Sequence, residues 1–264
     1  MEKIRLPDFR NIKIIPPSEE EGAYRCPLCE DRGIILKEGK AYRCRCALQR
    51  AWQNRLRAAN LAPHLRRCTF AAFNLEYYSK NLKDELTGRS YYECARLCLE
   101  EAQRFVDNCK EGKRGRGLFI FGPVGSGKTF LAAAITNSLI EAGHQVLFAV
   151  VPDLLDAIKA TYDRPGEGQT ELEILDTARQ VPVLVLDDLG AHAYSEWTQQ
   201  KIYSLLNYRL LHELPTVVTS NLELRELEAY LGERTVSRLI ELCKSLHLPV
   251  ERDIRCILNR QQRD

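Results

Sequence analysis

The octapeptide GPVGSGKT at residues 122–129 constrains the fold of this chain more than any other feature of its sequence. It follows an apolar run, LFIF, and leads into a stretch of good helix formers, TFLAAAITNSLIEAG. Its glycines let successive backbone N–H groups turn toward an anion, and the helix start behind the loop adds a favourable dipole. The pattern predicts a buried strand, a phosphate-binding loop and a helix. The candidate nucleotide-binding residues are Gly122, Pro123, Val124, Gly125, Ser126, Gly127, Lys128, Thr129 and Phe130.

The loop and a later pair of acids together predict a hydrolytic site for a nucleotide. Lys128 is spaced to reach the β- and γ-phosphates of ATP, and the Thr129 hydroxyl is spaced to ligate Mg²⁺. The buried run VLVLDD ends in Asp187, which we assign to the Mg²⁺ shell, and in Asp188, which would orient or deprotonate the attacking water. Two acids after a strand can also serve only to start a helix, so the assignment depends on the loop.

Strand-like runs alternate with helix-forming stretches, which predicts an α/β fold with a five-stranded parallel sheet and helices on both faces. Asn221 ends the run TVVTSN, and its amide would hold the attacking water if that strand neighbours the loop strand; the alternative is a turn-forming Asn. The strands are predicted at 118–121, 145–151, 183–188, 216–221 and 253–258. Helices are predicted at 47–61, 88–110 and 129–143, after caps at Asp153 and Thr170, and at 195–212, 224–231 and 233–244.

Four of the ten cysteines lie within a short N-terminal stretch as CPLC and CRC. The residues between the two pairs predict a hairpin, which would bring the thiolates together as a closed tetrahedral zinc site. Alternatives are His64 or Cys68 as the fourth ligand, an iron–sulfur cluster, or no metal. The predicted Zn²⁺ ligands are Cys26, Cys29, Cys44 and Cys46. The other six are interpreted as small buried hydrophobes: Cys68, Cys94, Cys98, Cys109, Cys243 and Cys256.

Charge and hydropathy limit the environment of the chain. The net charge is only +2, but a run of arginines without acids between residues 43 and 67 suits an anionic partner or a solvated helix. No apolar stretch is long enough to span a membrane, and the first residues lack the apolar core of a signal peptide, so we expect a cytoplasmic protein. The predicted organisation is a flexible tail (1–21), a zinc-binding module (22–50), a connecting basic helix or linker (51–68) and an ATPase domain (69–264).

Five stretches resemble, in order, the AAA+ (ASCE) branch of P-loop NTPases: GLFIFGPVGSGKTFLAAAI, VLVLDDLG, KIYSLLNYRL, PTVVTSNL and LGERTVSRLIE. They are most similar to bacterial replicative helicase loaders of the DnaC/DnaI type and to the IstB transposition helper ATPase. The resemblance covers most of residues 115–260. Only 43 residues follow Asn221, which is too few for a full helical lid and is a further similarity to both groups.

This resemblance implies roles for arginines in the C-terminal part of the chain. In the ERxxxR stretch, one arginine would act in trans on the nucleotide of a neighbouring subunit. Arg238 is favoured over Arg234 for that role. A second arginine, at the position called sensor II, would bind the nucleotide of its own subunit; Arg255 fits that position, with Arg252 as the rival.

The resemblance also implies partners and an activity. A loader would hydrolyse ATP with Mg²⁺, contact a hexameric replicative DNA helicase through its zinc-binding N-terminal region, and self-associate through ATP-bridged interfaces. It would bind single-stranded DNA, for which the helix near Lys159 and the loop from Ser195 to Trp197 are candidates. The alternatives are an IstB-like transposition helper that binds duplex DNA, and a nucleotide-gated adaptor that does not hydrolyse ATP.

Overall fold

The computed structural model describes residues 26, 28–30, 32–37, 40–44, 46–47, 54, 59–113, 115–163, 170–191 and 194–261. The predicted tail at 1–21 and most of the predicted helix at 47–61 lie outside these residues. The chain divides into two compact units, Met1–Arg50 and Ala51–Asp264. No helix among the described residues is long and apolar enough to cross a membrane.

The first unit contains the predicted hairpin. Strand β1 (Ile34–Lys37) pairs antiparallel with β2 (Lys40–Arg43), with Ile34 opposite Arg43. Gly33 enters β1 with a φ of 74°, a conformation that glycine adopts without a steric cost. The backbone N–H of Cys44 then donates to the Gly33 carbonyl, which closes the base of the hairpin.

The second unit is a three-layer α/β structure. Its five parallel strands run in the order β4-β5-β6-β3-β7, so β3, which carries the loop, lies between β6 and β7. The strands are β3 (Gly117–Phe121), β4 (Val146–Val150), β5 (Val183–Leu189), β6 (Thr216–Ser220) and β7 (Cys243–His247). The helices are α1 (Tyr91–Lys110), α2 (Lys128–Glu141), α3 (Val151–Asp163), α4 (Glu171–Gln180), α5 (Glu196–Leu211), α6 (Leu224–Leu231), α7 (Glu233–Leu242) and α8 (Ile254–Gln261). Short 3₁₀ turns precede α1 at Pro63–Arg67, Phe70–Ala72 and Leu75–Tyr77.

The alternation of side chains along β3 separates two hydrophobic cores. Leu118 and Ile120 face a core that includes residues of α1 and α2, such as Phe105 and Leu131. Phe119 faces the opposite core, which includes residues of α5 and α7. A strand buried on both faces must be apolar at every position, which is what GLFIF provides.

Capping residues mark several helix starts, among them Thr170, which was predicted, and Ser90, which was not. Ser90 with Glu93, and Thr170 with Glu173, form capping boxes at the starts of α1 and α4. Ser195 caps α5 as predicted. Asp153 is different, because α3 already begins at Val151, so this acid lies in the first turn of the helix rather than before it.

The position of the fifth strand was predicted wrongly. The strand is Cys243–His247, so α7 ends at Leu242, and the segment predicted as a strand, 253–258, instead begins α8. Ile254, Ile257 and Leu258 recur at the i, i+3, i+4 spacing of a helix, which agrees with the observed α8 and not with a strand. Strand β7 escaped detection because it is an edge strand with exposed polar residues in its middle.

One buried arginine, Arg209 on α5, connects α4 and β6 in the second unit. The Arg209 side chain is fully buried, and it donates to the carbonyls of Ala178, Arg179 and Val181 at the end of α4. It also donates to Pro215 at the start of β6. These carbonyls would otherwise lack partners, so Arg209 stabilises the turn that leads into β5. Burial lowers its pKa to about 9.

The cysteines outside the N-terminal cluster only partly follow the prediction. Cys68, Cys94, Cys98 and Cys243 are buried, and Cys109 is half-buried. Cys256 is exposed, because it lies on the outward face of α8, so its interpretation as a buried residue is wrong.

Candidate functional site

The predicted phosphate loop lies between β3 and α2 with its glycines in left-handed conformations. Gly125 has a φ of 75° and Gly127 a φ of 96°, and Gly127 is the residue before the first turn of α2. The loop also contacts the start of α8: the N–H of Ile254 donates to the Gly125 carbonyl at 3.1 Å. A Cβ on Gly125 would lie 2.1 Å from the Asp253 carboxylate, so any other residue would be strained by the positive φ and would displace that carboxylate.

Lys128 lies under this loop, and its side chain is held by backbone oxygens. Its Nζ donates to the carbonyls of Gly122 at 2.9 Å and Pro123 at 2.8 Å. Burial lowers the pKa of Lys128 to about 8, although the nearby Asp188 and Asp187 oppose that shift. The two backbone carbonyls are neutral. Phosphate oxygens are anionic, so they would stabilise the buried ammonium more strongly.

A bulge at the end of β5 places two successive acids beside the loop. Leu186 pairs with Val218 and Leu189 with Ser220, so Asp187 and Asp188 together oppose the single residue Thr219. Asp188 has a φ of 62°, which is strained for a residue with a side chain. Successive residues of a regular strand point to opposite faces, and the bulge removes that restriction.

Thr219 fixes this bulge with one hydroxyl group. Its Oγ1 donates to Asp187 Oδ1 at 2.6 Å and accepts from the N–H of Asp188 at 3.0 Å. The Thr129 hydroxyl lies 3.1 Å from both carboxylate oxygens of Asp187. Burial raises the pKa of Asp187, while the hydrogen bonds from Thr219 and Thr129 lower it. The carboxylate and the Thr129 hydroxyl are oxygen ligands of the kind that Mg²⁺ takes.

Asn221 lies on the other side of the same acids. Its Nδ2 donates to Asp188 Oδ1 at 2.8 Å. Strand β6 is adjacent to the loop strand β3, as expected, because the two strands pair in parallel. The structure therefore brings Asn221 and Asp188 together at the carboxyl ends of adjacent parallel strands.

These groups line one cavity of about 800 Å³, which is within the range of small-molecule sites. Of the predicted residues, the structure brings ten to this cavity: Val124, Gly125, Gly127, Lys128, Thr129, Phe130, Asp187, Asp188, Asn221 and Arg255. Gly122 and Pro123 contribute the carbonyls that hold Lys128. Ser126 is buried, and its Oγ has no hydrogen-bond partner among the described residues.

Besides Val150 at the end of β4, sequence reasoning missed three parts of the cavity wall. Thr219 is one, although its place in the polar end of TVVTSN could have indicated it. The segment from His64 to Cys68 is another, and the Asn137 amide on α2 holds this segment by donating to the carbonyls of Leu65 and Cys68. The third is the apolar side of α8, with Ile254 and Leu258.

The arginines fall into two groups. Arg255 lines the cavity, whereas Arg252 is exposed and does not line it. Arg234 and Arg238 lie on α7, where Arg238 pairs with Glu241 at 3.2 Å. Neither lines the cavity of its own chain.

The two candidate contact regions for single-stranded DNA lie on α3 and α5. Lys159 is exposed on α3. The predicted loop from Ser195 to Trp197 is instead a helix start, because Ser195 is the cap and Trp197 lies in the first turn of α5. The half-buried Trp197 ring meets the Tyr162 ring edge-on at 5.9 Å.

The four predicted zinc ligands converge in the first unit. The Sγ atoms of Cys26, Cys29, Cys44 and Cys46 all lie within 4.8 Å of one another. Tetrahedral zinc with bonds of about 2.3 Å requires sulfurs about 3.8 Å apart. The Sγ distances are 3.7 Å for Cys26–Cys44 and 3.2 Å for Cys29–Cys46. The Gly33 N–H donates to the Cys29 sulfur at 3.3 Å, the type of contact that supports a metal-bound thiolate.

The four cysteine sulfurs therefore fit Zn²⁺. The two alternative ligands, His64 and Cys68, lie in the second unit. His64 and Cys68 line the nucleotide cavity in the second unit, so they do not join the cluster. When bound, zinc would supply folding energy to a module too small to build a core unaided.

The strand order, the loop before α2 and the acids at the end of β5 define the second unit as an AAA+-type P-loop nucleotide-binding domain. The chain belongs to the family of IstB-like ATP binding proteins (IstB_IS21), whose model matches residues 102–248. The predicted resemblance is thereby confirmed, and so is the α/β fold.

Relatives of the chain include curated helicase loaders. It is 29% identical over 190 residues to the replicative helicase loader DnaI of Bacillus subtilis, a match that covers 66% of this chain and 60% of DnaI. It is 34% identical over 142 residues to the replicative helicase loader DnaC of Escherichia coli, covering 53% of this chain and 56% of DnaC. The chain thus spans about 60% or less of the length of these relatives. A crystal structure of DnaI aligns with a TM-score of 0.57 at 30% identity, covering 71% of this chain and 94% of that one.

Proposed function

We propose that this protein is an ATPase that loads a hexameric replicative helicase onto DNA. The observation that carries the hydrolytic part is the bulge at the end of β5. It presents Asp187 to the Thr129 hydroxyl and Asp188 to the Asn221 amide within one cavity. A metal ligand and a water-orienting acid are the two groups that hydrolysis of the β–γ bond requires beside a phosphate loop.

Each side chain then has a defined task. The loop backbone and Lys128 would bind the β- and γ-phosphates, and Thr129 and Asp187 would hold Mg²⁺. When bound, Mg²⁺ would neutralise charge that develops on the phosphate oxygens. Asp188 and Asn221 orient the attacking water, and Asp188 can accept its proton.

The arginines extend the proposal to more than one subunit. Arg255 lines the cavity and would bind the nucleotide of its own chain. Arg238 lies on α7, outside the cavity of its own chain, and we assign it to the nucleotide of a neighbouring subunit. A guanidinium stays charged and can form two parallel bonds to phosphate oxygens, which suits both roles. ATP-bridged self-association follows from this assignment.

The loading part rests on the relatives, because DnaI and DnaC are replicative helicase loaders. We propose that the cysteine module binds Zn²⁺ and contacts the helicase, and that the ATPase domain binds single-stranded DNA. Lys159 on α3 and Trp197 on α5 are candidates for that contact. A cytoplasmic location agrees with these partners.

The test is a pull-down of a replicative helicase combined with steady-state ATPase assays. We expect the helicase to be retained, and hydrolysis to respond to single-stranded DNA. Tight ATP binding with negligible turnover under every condition would favour the non-hydrolysing adaptor.

A transposition helper is the second candidate, because the family model is that of IstB-like proteins. Such a protein would bind duplex DNA. Stimulation of hydrolysis by duplex DNA alone, with no helicase retained, would favour it over the loader.

A further inference from the structure

We propose that Tyr78 is a positioning residue for the phosphate loop, and that its hydroxyl aims the Gly127 N–H at the phosphates of a bound nucleotide. This inference rests on the proposed binding of ATP at the loop. Tyr78 lies outside the glycine-rich motif, and no pattern in the sequence indicated it.

The contact is between the Tyr78 hydroxyl and the middle of the loop. Its oxygen donates to the Ser126 carbonyl at 2.7 Å. The Tyr78 side chain is buried, with 3% of its surface exposed, and it is not among the residues that line the nucleotide cavity. Tyr78 therefore supports the loop from the protein interior.

The geometry of the peptide between Ser126 and Gly127 determines where the Gly127 N–H points. The Ser126 carbonyl and the Gly127 N–H belong to the same planar peptide, and no peptide bond among the described residues is cis. In a trans peptide these two groups point in opposite directions. When Tyr78 holds the carbonyl toward the interior, the Gly127 N–H must face the other way, and Gly127 lines the cavity.

The ring of Tyr78 is itself held in place. It stacks on Phe73 at 5.7 Å, and Phe73 contacts Phe130, the residue that follows Thr129. A Cβ on Gly127 would lie 2.9 Å from the Tyr78 hydroxyl oxygen, closer than such atoms approach, so the hydroxyl leaves no room for a side chain at that position of the loop. Burial raises the pKa of Tyr78 above its usual value, so the hydroxyl keeps the proton that it donates.

The experiment measures nucleotide affinity in Tyr78→Phe, with Tyr77→Phe as the matched control. Tyr77 is half-buried next to it, and its hydroxyl makes no hydrogen bond within the described part of the chain. Calorimetry of the full-length proteins with Mg-ATP and Mg-ADP, and competition by AMP, give the affinities. AMP lacks the β- and γ-phosphates that the loop binds.

We expect Tyr78→Phe to bind ATP and ADP about five- to tenfold more weakly, the effect of one lost hydrogen bond. AMP affinity should change less than about twofold, as should every affinity of Tyr77→Phe. Replacement of Tyr78 by 4-aminophenylalanine, which restores a donor, should recover ATP affinity to within about twofold of the unmodified protein. Rescue by a donor separates positioning from a loss of folding.

Three outcomes would overturn the inference: unchanged ATP affinity in Tyr78→Phe, an equal loss for AMP and ATP, or no recovery with 4-aminophenylalanine. An unmodified protein that binds no ATP would instead refute the proposed function, and the inference with it.

Discussion

The cysteine cluster and the nucleotide cavity of this molecule are constructed in opposite ways. The cysteine cluster takes its four thiols from residues 26–46, and one hairpin brings them together. The nucleotide cavity takes its walls from His64 to Leu258, and it requires the strand order, a bulge and the start of α8. We propose that the first site folds only when it binds Zn²⁺, whereas the second is formed by the packed strands and helices around it. The comparison predicts that damage to either site stays within its own unit.

The largest expected effect is the loss of metal from the first unit. Cys26→Ser should remove one of four thiolates, release zinc and unfold that unit, because metal binding supplies about 10–16 kcal/mol in comparable peptides. Elemental analysis should show the metal-to-protein ratio falling from about one to near zero, with ATP affinity unchanged. Cys256→Ser, which changes an exposed cysteine of α8, is the control. Unchanged metal content in Cys26→Ser would rule out the four-cysteine site.

Loss of the buried ammonium should be the next largest effect. Lys128→Ala removes the only loop side chain that is positioned to neutralise β/γ-phosphate charge, and we expect ATP hydrolysis to fall at least about 100-fold. Lys110→Ala, on a partly exposed lysine at the end of α1, is the control. Metal content should stay the same in both variants. Normal turnover in Lys128→Ala would contradict the proposed site.

A smaller effect is expected from the hydroxyl that fixes the bulge. Thr219→Val keeps the shape of the side chain but removes the contacts with Asp187 and the Asp188 N–H. Unpaired buried groups cost about 1–3 kcal/mol, so we expect kcat to fall about ten- to 100-fold. Thr136→Val is the matched control, since that buried hydroxyl bonds only to a carbonyl of its own helix. An equal kcat for Thr219→Val and the unmodified enzyme would show that the bulge needs no such support.

The smallest effect is a pH dependence of ATP affinity. With the pKa of Lys128 lowered to about 8, its ammonium is charged below that pH and loses its proton above it in the free protein. Phosphate binds the charged form, so binding takes up a proton above pH 8, and affinity should fall by up to about tenfold per pH unit. Titration calorimetry at pH 7, 8 and 9 measures this slope. Lys128→Arg keeps its charge over this pH range, so its ATP affinity should depend little on pH. An equal slope in both proteins would show that a group other than Lys128 causes the pH dependence.

The two regions also differ in how far the sequence predicted them. The convergence of the four cysteines, and the position of the phosphate loop between β3 and α2, follow from local spacing. Thr219, Tyr78 and the segment from His64 to Cys68 were not predicted, because each reaches its site through packing between distant parts of the chain. No spacing rule encodes such contacts.

The error at the C-terminus has the same origin. Strand β7 is recognisable only by its pairing with β3, since its own sequence, CKSLH, has little strand character. The segment 253–258 is predicted as the fifth strand, but in the structure it begins α8. Its contact with Gly125 places it against the loop, a position that sequence alone does not give.

The central claim is that Lys128 and Asp187 bind opposite sides of one magnesium-nucleotide. Calorimetric titration of the full-length protein with ATP, with and without Mg²⁺, and of Asp187→Asn tests it most directly. We predict one nucleotide per chain, and an affinity that falls at least about tenfold without Mg²⁺ and loses its Mg²⁺ dependence in Asp187→Asn. No heat of binding in the unmodified protein, or the same Mg²⁺ dependence in Asp187→Asn, would contradict the account.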